Sequence, residues 1–118
     1  MYSLKVEGSF SSAHNLRGYK GKCEDLHGHN WRVEITVKSA TLDKIGMVLD
    51  FKYLKKKLNA VLDAMDHKYL NKLSFFKKVN PTSENIAGYI YKELIIQIPL
   101  LERVTVWENS TSCATYEK

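Results

Sequence analysis

Cys23-Glu24-Asp25-Leu26-His27-Gly28-His29-Asn30-Trp31-Arg32-Val33-Glu34-Ile35-Thr36-Val37-Lys38 carries two signals at once. From His27 onward Trp31, Val33, Ile35 and Val37 fall on alternate positions, and Arg32, Glu34 and Thr36 fill the places between them. A period of two is that of a half-buried strand, so a strand is predicted from about His27 to Lys38 with its odd-numbered side chains turned to a core. His27 and His29 share the odd register. Residues two apart on a strand point to one face, so both imidazoles can reach one ion.

Upstream, Tyr2 to Phe10 alternates in the same way, with Tyr2, Leu4, Val6 and Phe10 opposed to Ser3, Lys5, Glu7 and Ser9. The pattern can be carried on through Ser12 to His14, which shares the even, inward register of Val6 and Phe10. A loop containing Arg17, Gly18, Tyr19, Lys20, Gly21 and Lys22 joins the two strands. Antiparallel pairing across it would bring His14, His27 and His29 together at the mouth of one sheet. Three neutral imidazoles suit Zn2+, and three protein ligands leave a coordination position open, the arrangement of catalytic rather than structural zinc. A His-x-His pair alone also arises by chance in strands; the matched parity of His14 is what raises this one above that background.

Downstream, Phe51, Leu54, Leu58, Val61, Leu62 and Met65 recur at helical spacing behind Asp50, a suitable N-cap, and Lys55-Lys56-Lys57 fall largely off the apolar stripe on a solvated face. Asn80-Pro81-Thr82-Ser83-Glu84 reads as the start of a second helix whose buried stripe is Ile86, Ile90 and Leu94. Pro99 ends that region. Arg103 to Trp107 and Ser112 to Glu117 read as a final hairpin across Asn109-Ser110-Thr111. Strand, strand, helix, helix, strand, strand makes an α+β fold, a four-stranded antiparallel sheet with both helices on one face. The other face, the open edges and the aromatic residues still to be buried suggest an oligomerisation surface.

Three further groups could do chemistry. Cys23 lies beside Lys22 and close to the proposed metal, where positive charge favours a thiolate; base, nucleophile, fourth ligand and inert thiol all remain open. Asp66-His67 follows the first helix and could orient and tune a proton-transfer group, or be a solvated helix end. Glu108 shares the register of Val104 and Val106, which puts a carboxylate on an apolar face where it needs a partner, either a Lys or Arg or a ligand with two parallel N–H donors.

The bulk properties narrow the class. A chain of 118 residues is the size of one domain, 1–118. No run approaches the ~20 apolar residues of a membrane span, and the N-terminus lacks the pattern of a secretory signal, so a cytoplasmic protein with two free thiols, Cys23 and Cys113, is expected. The net charge of +5 fits an anionic ligand as well as it fits nucleic acid. No nucleic-acid-binding motif accompanies it, so a nucleic-acid partner is not expected, although a basic binding module stays as an alternative, as does an oligomer in which zinc is purely structural.

Phe10-Ser11-Ser12-Ala13-His14, Cys23-x-x-x-His27-Gly28-His29, Asp66-His67-Lys68-Tyr69-Leu70-Asn71, Pro81-Thr82-Ser83-Glu84-Asn85 and Trp107-Glu108 together resemble the 6-pyruvoyl-tetrahydropterin synthase superfamily over nearly the whole chain. Within it the compact chain is most similar to the bacterial 6-carboxy-5,6,7,8-tetrahydropterin synthases of the queuosine pathway. The resemblance implies a tunnelling fold, in which trimers close their sheets into a β-barrel and pair as homohexamers with active sites between subunits. It implies His14, His27 and His29 as zinc ligands, Cys23 as general base, Asp66 and His67 as its relay partners, and Glu108 as the pterin anchor. Some branches use glutamate as the base, and Glu24 adjoins Cys23 here. The implied reaction is a lyase conversion of 7,8-dihydroneopterin triphosphate to 6-carboxy-5,6,7,8-tetrahydropterin with release of acetaldehyde and triphosphate. Formation of 6-pyruvoyl-tetrahydropterin and aldol-type cleavage of the pterin side chain are sister reactions on the same scaffold. Arg17, Lys20 and Lys22, in the loop joining the ligand strands, are candidate triphosphate contacts.

Overall fold

Strand β1 (Tyr2–His14) and strand β2 (His27–Ser39) form the predicted hairpin in the computed structural model, which describes residues 1–118. Their antiparallel register pairs Val6 with Ile35, Phe10 with Trp31, Ser12 with His29 and His14 with His27. Strand β3 (Leu101–Trp107) adds to the other side of β2, and β4 (Cys113–Glu117) adds to β3, giving one sheet in the order β1-β2-β3-β4. Between β2 and β3 the chain forms helix α1 (Phe51–Asp63), two single 3-10 turns at Leu70–Lys72 and Ser74–Lys77, and helix α2 (Ser83–Ile95).

Both helices start where side-chain capping favours it. The Asp50 carboxylate accepts from the Lys52 N–H, and the Thr82 hydroxyl accepts from the Asn85 N–H, each satisfying a donor that the first helical turn leaves free. Leu54, Leu58 and Leu62 of α1 and Ile86, Ile90 and Leu94 of α2 are fully buried against Val33, Ile35, Val104 and Val106 of the sheet. Each such side chain contributes about 1.5–3 kcal/mol of transfer free energy. Twenty buried apolar residues form one cluster.

Gly8 marks the closest approach of α1 to the sheet. A β-carbon there would lie 2.8 Å from Leu62 Cδ1 and 3.0 Å from Asn59 Oδ1.

The second face of the sheet carries the outward residues of the two half-buried strands. It is polar: Arg32 pairs with Glu7 and Glu34, Lys5 with Glu34 and Arg103 with Glu117. Arg32 also stacks over the Trp107 ring at 4.5 Å, and the Trp107 indole N–H donates to Glu34. Such a face is stable against water. What the sheet leaves unsatisfied is its edges, since β1 and β4 each have a strand partner on one side only. The β1 edge is closed locally at its end, where His67 N–H donates to the Ser11 carbonyl and Ala13 N–H to the Lys68 carbonyl.

Candidate metal centre and proton-transfer residues

Three imidazoles meet on the helix-covered face at the end of the β1–β2 hairpin. Their ring centroids are separated by 4.5 Å (His14–His27), 4.8 Å (His27–His29) and 5.3 Å (His14–His29). Glu108, one residue past β3, extends the inward parity of Val104 and Val106 and sends Oε1 to 3.4 Å from His29 Nε2 and 3.6 Å from His14 Nε2. One donor atom from each of the four residues lies within 4.8 Å of the others. The parity reading therefore placed the three histidines and the inward aim of Glu108. The partners of the carboxylate are the imidazoles themselves, not a Lys or Arg.

Carbonyl groups fix which nitrogen faces inward for two of the three rings. His14 Nδ1 is 2.7 Å from the Pro81 carbonyl, just before α2, and His27 Nδ1 is 2.7 Å from the Asp25 carbonyl. A carbonyl can only accept, so both Nδ1 atoms carry a proton, and in the neutral tautomer this contact selects the lone pair falls on Nε2. His14 Nε2 and His29 Nε2 are buried without a hydrogen-bond partner. Burial lowers the pKa of His14, reinforced by the neighbouring His27 and His29 and opposed by the Pro81 hydrogen bond and Glu108. Burial likewise lowers that of His29, against the pull of Glu108.

The close His–Glu108 contacts alone would suggest ion pairs with protonated rings, but desolvation is the larger effect and favours neutral imidazoles. A carboxylate oxygen facing the Nε2 lone pair of a neutral His14 has no proton to share with it, and a divalent cation would resolve that repulsion. The donor set of imidazole nitrogen and carboxylate oxygen fits zinc chemistry. The Trp31 indole, wholly buried, packs edge-on against His14 and His29 with ring centroids 5.0 and 5.2 Å away. It walls the cluster on the core side.

Cys23 sits in a single 3-10 turn (Lys22–Glu24), half-buried, and both cysteines are free thiols. Asp66 and His67 form a pair after α1: His67 Nδ1 is 2.9 Å from Asp66 Oδ2, and Asp66 Oδ1 accepts from the Ser11 N–H at 2.8 Å. The Ser11 hydrogen bond, followed by the His67 contact, holds the Asp66 carboxyl below its ordinary pKa. His67 is the one non-glycine residue with a left-handed backbone, φ 54°, a conformation costing about 1–3 kcal/mol that its hydrogen bond to Ser11 helps to hold.

No hydrogen bond or ion pair joins Asp66–His67 to Cys23 or to the metal cluster within the chain, and the His67 ring is exposed to solvent. The basic loop also divides. The Arg17 guanidinium donates to the Phe76 and Val79 carbonyls, which makes it a brace rather than a free anion contact. Lys20 and Lys22 are exposed and form no ion pair.

The model of the 6-pyruvoyl tetrahydropterin synthase family matches residues 3–118. The chain belongs to that family. It is 39% identical to the 6-carboxy-5,6,7,8-tetrahydropterin synthase of Synechocystis sp., over 98% of this chain and 93% of the relative. It is 40% identical to the putative 6-carboxy-5,6,7,8-tetrahydropterin synthase of Archaeoglobus fulgidus, over 94% and 91%. The solved structure of Caenorhabditis elegans 6-pyruvoyl tetrahydropterin synthase superposes with a TM-score of 0.90 at 33% identity, covering 99% of this chain and 95% of that one. Membership accounts for the four-stranded antiparallel sheet with two helices. No helix is long and apolar enough to cross a membrane.

Proposed function

We propose that the protein is a zinc-dependent 6-carboxy-5,6,7,8-tetrahydropterin synthase that converts 7,8-dihydroneopterin triphosphate and one water to the 6-carboxy product, acetaldehyde and triphosphate, and serves queuosine biosynthesis. The observation that supports this most is the convergence of His14, His27, His29 and Glu108 on one space, with two buried Nε2 atoms unpartnered. Zinc held by the three imidazoles would supply a Lewis acid that polarises the side-chain oxygens of the substrate.

The remaining work belongs to the chain's own residues. Cys23 takes a proton from a side-chain carbon of the substrate. Asp66, ionised and fixed by the Ser11 N–H, orients His67 through Nδ1 so that the ring's Nε2 can deliver or receive a proton. Glu108 binds substrate. As the pterin anchor it would grip the pterin edge in bidentate fashion, and because its Oε1 lies among the imidazoles the carboxylate would have to turn out of the cluster to do so.

The Asp66–His67 pair stands apart from the cluster in its own protomer, and the outer edges of β1 and β4 are unpaired. Both features support a ring of copies, trimers closing as a barrel and pairing as hexamers, in which the pair serves the cluster of a neighbouring subunit. The proposed setting is the cytoplasm, where Cys23 and Cys113 stay reduced. The likeness to the nematode 6-pyruvoyl enzyme favours one second reading, the sister reaction on the same scaffold. Incubation of the zinc-loaded protein with 7,8-dihydroneopterin triphosphate, followed by mass analysis, separates the two. The 6-carboxy product with acetaldehyde is expected, a 6-pyruvoyl product without acetaldehyde would transfer the assignment, and absence of any turnover would remove both.

A further inference from the structure

The loop that carries Cys23 is gripped by two asparagine side chains in the same manner. Asn71 accepts the Asn15 N–H at Oδ1 (3.0 Å) and donates Nδ2–H to the Asn15 carbonyl (2.9 Å). Asn80 accepts the Arg17 N–H at Oδ1 (3.0 Å) and donates to the Arg17 carbonyl (2.8 Å). Each carboxamide thus satisfies both backbone groups of one residue, as a neighbouring strand would, on the two residues flanking Leu16. Leu16 in turn donates its N–H to the Cys23 carbonyl at 2.7 Å, the hydrogen bond that ties this limb of the loop to the cysteine.

The clamps are themselves anchored. Asn71 is 7% exposed, and the Tyr69 hydroxyl donates to the Asn15 side chain. The Asn80 carbonyl accepts from Asn85 of α2 at 2.9 Å, and the Arg17 guanidinium closes on the Phe76 and Val79 carbonyls at 2.5 and 3.0 Å. A side chain whose backbone hangs from rigid elements through short, bidentate contacts loses little further freedom when it reacts.

We infer that Asn71 and Asn80 are positioning residues for Cys23, holding the Leu16–Cys23 hydrogen bond and with it the backbone that carries the thiol. The inference rests on the assignment of Cys23 as base, but the geometry it asserts can be read without turnover. Asn71→Asp and Asn80→Asp keep the acceptor at Oδ1 and lose the donor, so they disrupt the clamp with little change in side-chain size; Asn71→Ala and Asn80→Ala remove it altogether.

Three readouts on the full-length protein apply: exchange of the Leu16 amide hydrogen, the rate of iodoacetamide alkylation at Cys23 resolved from Cys113 by peptide mapping, and steady-state kinetics. Each variant is expected to lose Leu16 protection, to change the Cys23 alkylation rate severalfold, and to lower kcat by about 10- to 100-fold with little change in KM. The aspartate variants should lie between the wild type and the alanine variants. Unaltered Leu16 exchange and Cys23 alkylation in correctly folded variants, with only the melting temperature lowered, would overturn the inference. Full turnover by Cys23→Ala would instead overturn the base assignment and leave the clamp to be judged by the first two readouts.

Discussion

Replacing Gly8 by alanine tests how tightly α1 is set against the sheet that carries the metal ligands. Gly8 is not among the positive-φ residues, so alanine can adopt its backbone and only contacts matter. The added methyl would lie 2.8 Å from Leu62 Cδ1, 3.0 Å from Asn59 Oδ1 and 3.4 Å from Leu58 Cδ2. Leu58 and Leu62 are wholly buried and cannot swing to solvent, so the helix must lift or the leucines must leave their rotamers.

Overpacking of this kind costs about 1–3 kcal/mol. The reduced freedom of the unfolded chain returns about 0.4–1 kcal/mol, for a net loss of about 1.3 kcal/mol at the middle of both ranges. With an unfolding entropy of about 2.1 cal/mol/K per residue, that lowers the melting temperature of a 118-residue chain by roughly 5 °C. Thermal and urea unfolding followed by circular dichroism measure it. Adding Leu62→Val, which removes the closest carbon, should give a double variant less destabilised than the sum of the two single changes. An unchanged or raised midpoint for Gly8→Ala, or strict additivity of the pair, would refute the packing account.

Cys23→Ala and Asp66→Asn are each expected to lower kcat by about 10²–10⁴-fold while zinc content, measured by atomic absorption, stays at the wild-type level. Glu108→Gln keeps the shape of the side chain and removes its charge, so cobalt titration followed by visible absorption should show weaker metal binding. For the metal-free protein, His14 and His29 have folded pKa values below 6.5. The unfolded state therefore binds more protons just below that pH, and stability that is complete above about 6.5 should decline as the pH falls through the lowered folded values. Urea midpoints between pH 8 and pH 5 read this out, and a midpoint that rose on acidification would contradict it.

Much of this architecture is legible in the sequence because strand side chains repeat every two residues. The alternation around Phe10 and Trp31 predicts the pairing that the structure shows, and the same parity carries His14, His27 and His29 to one face. The stripes Leu54-Leu58-Leu62 and Ile86-Ile90-Leu94 likewise reveal α1 and α2. The partner of Glu108 was not legible, since it depends on the register of β2 against β3, which places Trp107 beside Arg32 across a connection of about sixty residues. Parity showed that the carboxylate points inward; only that long-range register shows that it points at His29.

The braced state of Arg17 was hidden for a similar reason. Its carbonyl partners at Phe76 and Val79 belong to a segment of 3-10 turns with no apolar period to mark it. The polar character of the second sheet face is legible in Lys5, Glu7, Arg32 and Glu34, whose charges alternate in sign along each of the two strands, so that Arg32 and Lys5 lie diagonally across from Glu7 and Glu34.

Anomalous diffraction from crystals of the zinc-loaded protein, collected on both sides of the zinc absorption edge, addresses the metal assignment directly. A single strong peak bonded to the Nε2 atoms of His14, His27 and His29 at about 2.0–2.1 Å is expected. A peak elsewhere, or zinc bound through fewer than three of these rings, would contradict the account.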